Sequence, residues 1–162
     1  MASYNELNIA TRMLMRAFPF SRYAIKDAPV TPLAKPLSEC RVALVTTAGL
    51  RLKDDLPYDR SIKFGDTSYR EIPDGVAVQY LIEDHKSSSF DHSGVQADKN
   101  LAFPLDRFRE LIDRGVIGSL NSRHFSFMGS LLGVGPLINE SAPEAAAKLR
   151  SDGVDVVFLT PV

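Results

Sequence analysis

Apolar and polar positions alternate along this chain in a way that divides it into a helical start, a proline-bearing link and a body of strands and helices. In residues 4–17, Leu7, Ala10, Met13, Leu14 and Ala17 fall on one helical face. An N-terminal helical arm over residues 1–26 follows from that spacing. The stretch DAPVTPLAKPLS carries Pro29, Pro32 and Pro36, which favour extended backbone, so residues 27–39 read as a linker. The body, residues 40–162, opens with CRVALVTTAGL. Val42 to Val45 are continuously apolar, as in a strand covered on both faces of a parallel sheet. Thr46, Thr47 and Gly49 stand where that strand would end.

Residues 51–75 are polar, with Pro57, Gly65, Pro73 and Gly75, and read as a long loop of the kind that is often functional. VAVQYLI, residues 76–82, predicts a second strand, and residues 83–100 predict another loop, rich in Ser, Asp and His. PLDRFRELIDRG predicts a helix over 104–115, with Pro104 in its first turn, Leu105, Phe108, Leu111 and Ile112 on one face, and Gly115 as its stop. Residues 121–136 combine a short strand with a Gly-rich turn. A second helix spans 141–153, with Ser141 and Glu144 at capping-box spacing and Gly153 at its end. A final strand runs from Val154 to Leu159. Strands alternating with helices give an α/β class: a mostly parallel sheet with flanking helices, in three layers. Val154, Val156, Val157, Phe158 and Leu159 need cover that the remaining sequence does not supply. The expectation is therefore a domain that is incomplete at its C-terminus or is completed by a partner.

Composition narrows the function classes. Of 162 residues 44% are apolar and 24% charged, as expected of a globular chain. Nineteen Lys and Arg against 20 Asp and Glu leave a net charge of −1, which argues against a nucleic-acid surface. No run approaches the roughly 18 apolar residues of a membrane helix. Glu6, Arg12 and Arg16 interrupt the start of the chain, so it does not read as a signal peptide, and the expected location is the cytoplasm. Cys40 is the single cysteine, so no internal disulfide can form; it reads either as a small buried hydrophobe or as a reactive thiol. No Cys/His cluster has zinc spacing, and no bound metal is expected.

In open α/β sheets ligands bind beyond the carboxyl ends of the strands. Three segments meet that description: TTAGL, the loop at 83–100, and whatever follows LTPV. His85 and His92 lie in the second, near Asp84, Asp91 and Asp98. An Asp–His pair there could do general acid–base work; the other readings are solvated turn residues, or a weak metal cluster of His85, Asp91 and His92. His124 lies in RHFSFMG, beside Arg123 and Ser126. It reads as a histidine bonded to backbone or as part of a site in which Arg123 binds a carboxylate. GVGP at 133–136 lacks the full dinucleotide fingerprint and the lysine of a phosphate loop.

Five stretches in order, CRVALVTTAGLRLKDDLPYD, GDTSYREIP, NLAFPLDRFRELIDRGVIGSL, RHFSFMG and LRSDGVDVVFLTPV, resemble the selenoprotein B subunits of the glycine/sarcosine/betaine reductase family, including its shorter relatives. The resemblance runs from about residue 38 to the end. It implies an oxidoreductase that cleaves a carbon–nitrogen bond reductively, with a disulfide as acceptor. It implies a selenocysteine or cysteine directly after LTPV, hence after Val162. Because selenocysteine is encoded by UGA, a gene read conventionally would stop there, and the chain alone would be inactive. It further implies a pyruvoyl group on a partner subunit, other reductase subunits, a thioredoxin-like reductant and a small-molecule substrate. His124, His92 and Asp91 are the expected catalytic residues around the nucleophile, with Thr46, Thr47, Arg123 and Ser126 at the substrate. The alternatives are a non-catalytic assembly subunit whose partner covers the last strand, and a small-ligand-binding α/β subunit that uses TTAGL and the 83–100 loop.

Overall fold

A computed structural model describes residues 9, 10, 12, 13, 30–85, 87 and 92–162. The chain forms two compact units, Met1–Thr31 and Pro32–Val162. In the first, residues 9, 10, 12 and 13 are helical. The rest of the helix expected over 4–17 lies outside the described residues.

The second unit is organised by β1 (Arg41–Thr46). One of its edges pairs in parallel, in tandem, with β5 (Ser119–Leu120) and β6 (Arg123–Phe127). The other pairs in parallel with β7 (Val156–Thr160), from Val42↔Val156 to Thr46↔Thr160. β3 (Tyr69–Pro73) joins the far side of β6 antiparallel, so the sheet is mixed but mostly parallel. A small antiparallel pair, β2 (Leu50–Arg51) with β4 (Ile82–Glu83), stands beside it.

Successive β1 side chains point to opposite faces. Leu44 enters a core with Leu50, Ile72, Leu81, Phe103 and Leu105, the last at the start of α2 (Leu105–Asp113). Ala43 enters another with Phe125, Phe127, Ala145 and Leu149, the last two from α3 (Ala142–Ser151). Helices therefore cover both faces of the central strand, which explains why Val42 to Val45 are apolar without alternation. β7 is less covered. Val157, Phe158 and Leu159 are 40%, 43% and 66% exposed, although the Phe158 ring lies 4.9 Å from that of Phe108.

The structure corrects four readings of the sequence. The expected loop 51–75 contains β3, whose one buried side chain is Ile72 and whose last residue is Pro73; charged Arg70 and Glu71 hide the strand. VAVQYLI is not one strand; only its last residue, Ile82, enters a strand. It forms a 3₁₀ turn at Val78–Tyr80 before β4, because Val78 and Leu81, a helical turn apart, are buried while Tyr80 is 82% exposed. The expected loop 83–100 holds α1 (His92–Ala97) and a 3₁₀ turn at Lys99–Leu101. At α3, Ser141 and Glu144 form no capping box. Ser141 Oγ donates to Thr67 O at 2.7 Å, and Glu144 accepts from Tyr69 Oη at 2.6 Å, both tying the helix to the β3 segment.

Gly118 marks the entry to β5. A Cβ there would lie 2.7 Å from the Glu39 carbonyl carbon and 2.9 Å from Cys40 O, the oxygen that accepts from Gly118 N and Ser119 N. Gly118→Ala should therefore destabilise the fold by about 1–3 kcal/mol in urea unfolding. An unchanged midpoint would contradict this close approach of β5 to β1.

Candidate functional site

The carboxyl ends of β1, β6 and β7 converge. Thr46, 1% exposed, accepts Ala48 N–H at Oγ1 (3.1 Å) and donates the same hydroxyl to Thr160 O (3.3 Å). Thr47 N donates to Thr160 O at 3.2 Å. Thr47 Oγ1 then accepts Val162 N–H at 2.8 Å and lies 3.3 Å from Val162 O, to which it can donate. The hydroxyl thus holds the backbone of Val162 at both its amide and its carbonyl. β6 leads into Met128 and Gly129 at the same end. A Cβ on residue 129 would fall 2.7 Å from His85 Nε2, 2.8 Å from Thr47 O and 2.9 Å from Val162 O. Only a bare Cα fits at this meeting point.

A cavity of about 290 Å³ adjoins it, lined by Arg60, Lys63, Asp66, Ser87, Gly129 and Ser130 among others. Burial pushes the Asp66 carboxyl up, but hydrogen bonds from Ser68 Oγ and N–H and from Asp59 N–H outweigh it and hold the group below its ordinary range. The cavity wall thus carries a fixed negative charge beside two cations.

The histidine segment reaches the cavity through Ser87. Glu83 accepts His85 N–H at 2.6 Å through Oε1 and faces His92 Nδ1 at 2.8 Å through Oε2. His92 Nε2 lies 2.9 Å from Ser87 O. Both ring nitrogens of His92 thus lie within hydrogen-bond distance of oxygens of its own segment. His85, 4% exposed, accepts Ser87 N–H at Nδ1 (3.2 Å), which leaves its proton on Nε2. Burial pushes its pKa down against the pull of Glu83, and His92 reinforces the shift.

The expected site residues divide between two ends. Thr46 and Thr47 stand at the carboxyl end, and the His92 ring lies 6.4 Å from that of His85 on the same side. Ser126 is fully buried; its Oγ accepts Leu50 N–H at 2.7 Å. Arg123 and His124 sit at the amino end of β6. The register pairs Phe125 with Val45, which puts His124 level with Leu44, roughly 10 Å short of Thr47 along the strand. Arg123 does grip a carboxylate, but the chain's own: Nε and Nη2 each lie 2.7 Å from Asp152. That pairing holds the Asp152 carboxyl well below its ordinary range. His124 Nδ1 accepts Leu44 N–H at 3.0 Å, in the gap where β5 gives way to β6. Its Nε2 faces Asp74 Oδ1 at 3.8 Å. Burial pushes its pKa down to about 4, against the pull of Asp74. Asp91 lies outside the described residues. Gly129 was not singled out by the sequence, and its signal was the position just beyond an apolar strand, in RHFSFMG. Among the described residues no group of three or more His, Cys, Asp or Glu gathers to hold a metal, and no helix is long and apolar enough to cross a membrane.

The family model "Glycine/sarcosine/betaine reductase selenoprotein B" matches residues 15–162. The chain is 36% identical over 137 residues to the D-proline reductase subunit gamma of Acetoanaerobium sticklandii, covering 84% of this chain and 54% of that one. It is 31% identical over 137 residues to the glycine reductase complex component B subunit gamma of Symbiobacterium thermophilum, and equally to the sarcosine reductase complex component B subunit beta of Peptoclostridium acidaminophilum. Each match covers 82% of this chain and 30% of the relative. The chain thus spans about half or less of these relatives' length. No solved structure matches it.

His124 gives a test that separates the two ends. Its pKa is lower in the fold than its ordinary 6.5, so the unfolded chain binds more protons between about 6.5 and 4. The stability it contributes is full above that window and is lost as pH falls through it. His124→Phe leaves Leu44 N–H without its acceptor and should lower stability at pH 7 by about 1–3 kcal/mol. The gap to the parent should narrow as pH falls to 4 in denaturant titrations. A gap that stays constant or widens would show that the histidine is not buried neutral.

Proposed function

This chain belongs to the glycine/sarcosine/betaine reductase selenoprotein B family, and from that premise we propose that it is a reductase subunit whose working cleft lies at the carboxyl ends of β1, β6 and β7. The observation that carries the reading is the bare Cα of Gly129, ringed by Thr47 O, Val162 O and His85 Nε2. This is the crevice where open α/β sheets bind ligands, and it adjoins the 290 Å³ cavity. The expected redox group, a selenocysteine or cysteine next to Val162, would stand at this end of the sheet, where Thr47 holds the Val162 backbone.

Such a group supplies a nucleophile that is ionised at neutral pH. The chain's own residues do the rest. Thr47 fixes the Val162 backbone through one hydroxyl, so that the residue beside it is held at the carboxyl end of the sheet. Arg60 and Lys63 offer positive charge to a small anionic substrate in the cavity. Reductive cleavage of a carbon–nitrogen bond takes up two electrons and two protons, and a dithiol yields both as it closes to a disulfide. A thioredoxin-like partner fits that role, and a second subunit with a pyruvoyl group fits the activation of an amino substrate. The names of the relatives, as components of reductase complexes, support partners of this kind.

A second reading, an assembly subunit, draws on β7, where Val157, Phe158 and Leu159 offer an apolar surface to a partner.

Alkylation mapping decides between them. The protein is isolated from its native host, reduced, treated with iodoacetamide and digested for mass spectrometry. The expected result is a label on a residue adjoining Val162. Label at Cys40 alone, or none, would overturn the redox reading and leave the assembly reading.

A further inference from the structure

The cavity of about 290 Å³ stands at the small end of ligand pockets, which run from roughly 300 to 1,000 Å³. Two loops enclose it, and each is fixed. Residues 59–66 are closed on themselves by Asp66 Oδ2, which accepts Asp59 N–H at 2.8 Å, and by Ile62 O, which accepts Gly65 N–H at 3.1 Å. Residues 128–133 continue from β6, and Met128, 5% exposed, bridges to Ala48. Phe64 O accepts Leu132 N–H at 2.9 Å and Gly133 N–H at 3.2 Å, which ties the first loop to the second. The Phe64 side chain rests on the bare backbone of Gly133, where a Cβ would fall 2.8 Å from Phe64 Cβ. Phe64, Met128 and Leu132 thus give the cavity an apolar lining in fixed places.

The charges of the lining are committed differently. Asp66 is bound by its own loop, through Ser68 and Asp59. Lys63 Nζ lies 5.5 Å from the centroid of the Phe64 ring and pairs with no carboxylate among the described residues. A cation beside apolar side chains suits a single negative charge joined to an apolar body. The carboxylate of Asp66 in the same lining opposes a second negative charge, such as a phosphate dianion carries. We propose that this cavity takes a small monocarboxylate with an apolar body of several carbons, its carboxylate on Lys63 and its body against Phe64, Met128 and Leu132, and that Phe64 sets the length accepted. As a statement of substrate class, the inference rests on the cleft reading above. Phe64 is 54% exposed, so its ring acts on what enters the cavity and not on the core.

The test is the binding of a graded series of acids, acetate, butanoate and hexanoate, to the native full-length protein, read from the amide shifts of Gly129 and Ser130. The dissociation constant should fall about two- to fourfold for each added methylene. Phe64→Ala should flatten that series, and Phe64→Leu should restore most of the slope. Lys63→Gln should weaken every acid by a similar factor, and n-butylamine should leave the two amides unmoved. Equal affinity for acetate and hexanoate, an unaltered slope in Phe64→Ala, or shifts that map away from residues 128–133 overturns the inference. Iodoacetamide label adjoining Val162 without graded binding overturns it too and leaves the cleft reading standing. Graded binding with no label there leaves the carboxylate site but overturns the redox reading, and with it the role of the acid as substrate.

Discussion

Both edges of β1 are hydrogen-bonded, and the register of those bonds decides where every other part of the second unit goes. β5 and β6 divide one edge, and β7 runs along the whole of the other. Because all of these pairs are parallel, the carboxyl ends of β1, β6 and β7 come out together. Where β5 hands over to β6 the ladder would leave Leu44 N–H bare, and the imidazole of His124 fills the gap. A parallel strand paired on both edges must also be covered on both faces, and α2 and α3 supply that through Leu105 and through Ala145 and Leu149.

The two ends of the sheet are built for different purposes. At the amino end, charged groups tie the α3–β7 turn to the strands: Asp152 takes Arg123 and Asn121, while Asp155 takes Arg41 N and Lys35. Those carboxylates are spent on the chain itself. At the carboxyl end hydroxyls and backbone dominate, with Thr46 and Thr47 gripping Thr160 and Val162, and the His85 ring and the carbonyls of Thr47 and Val162 close in on Gly129.

The sequence showed the central strand plainly, since Val42 to Val45 carry the apolar run that double cover demands, and it showed α2 through its periodicity, while α3 was read from a capping box that does not form and from Gly153 as its stop. It did not show β3, whose Arg70 and Glu71 point to salt-bridge and hydrogen-bond partners that only folding brings near, as Glu71 does with Lys148 at 2.7 Å. VAVQYLI misled because apolar residues three apart suit a tight helical turn as well as a strand. For the site, strand-end reasoning named the Thr46–Thr47 turn as substrate-binding, and the structure places that turn where β1 meets the end of β7. It could not rank the histidines, because which ring nitrogen is committed depends on contacts such as Leu44 N with His124, 80 residues apart in sequence. A guanidinium beside a histidine suggested a carboxylate ligand, and the carboxylate turned out to be Asp152.

The central proposal is that a redox site of this subunit lies at the carboxyl ends of β1, β6 and β7, beside Gly129, and not at the Arg123–His124 end. The most direct measurement is an experimental structure of the native protein after reaction with an alkylating substrate analogue. The account predicts the adduct within van der Waals contact of Gly129 Cα and Thr47 O, at the mouth of the cavity lined by Arg60 and Lys63. An adduct elsewhere, with the Gly129 cradle undisturbed, would contradict it.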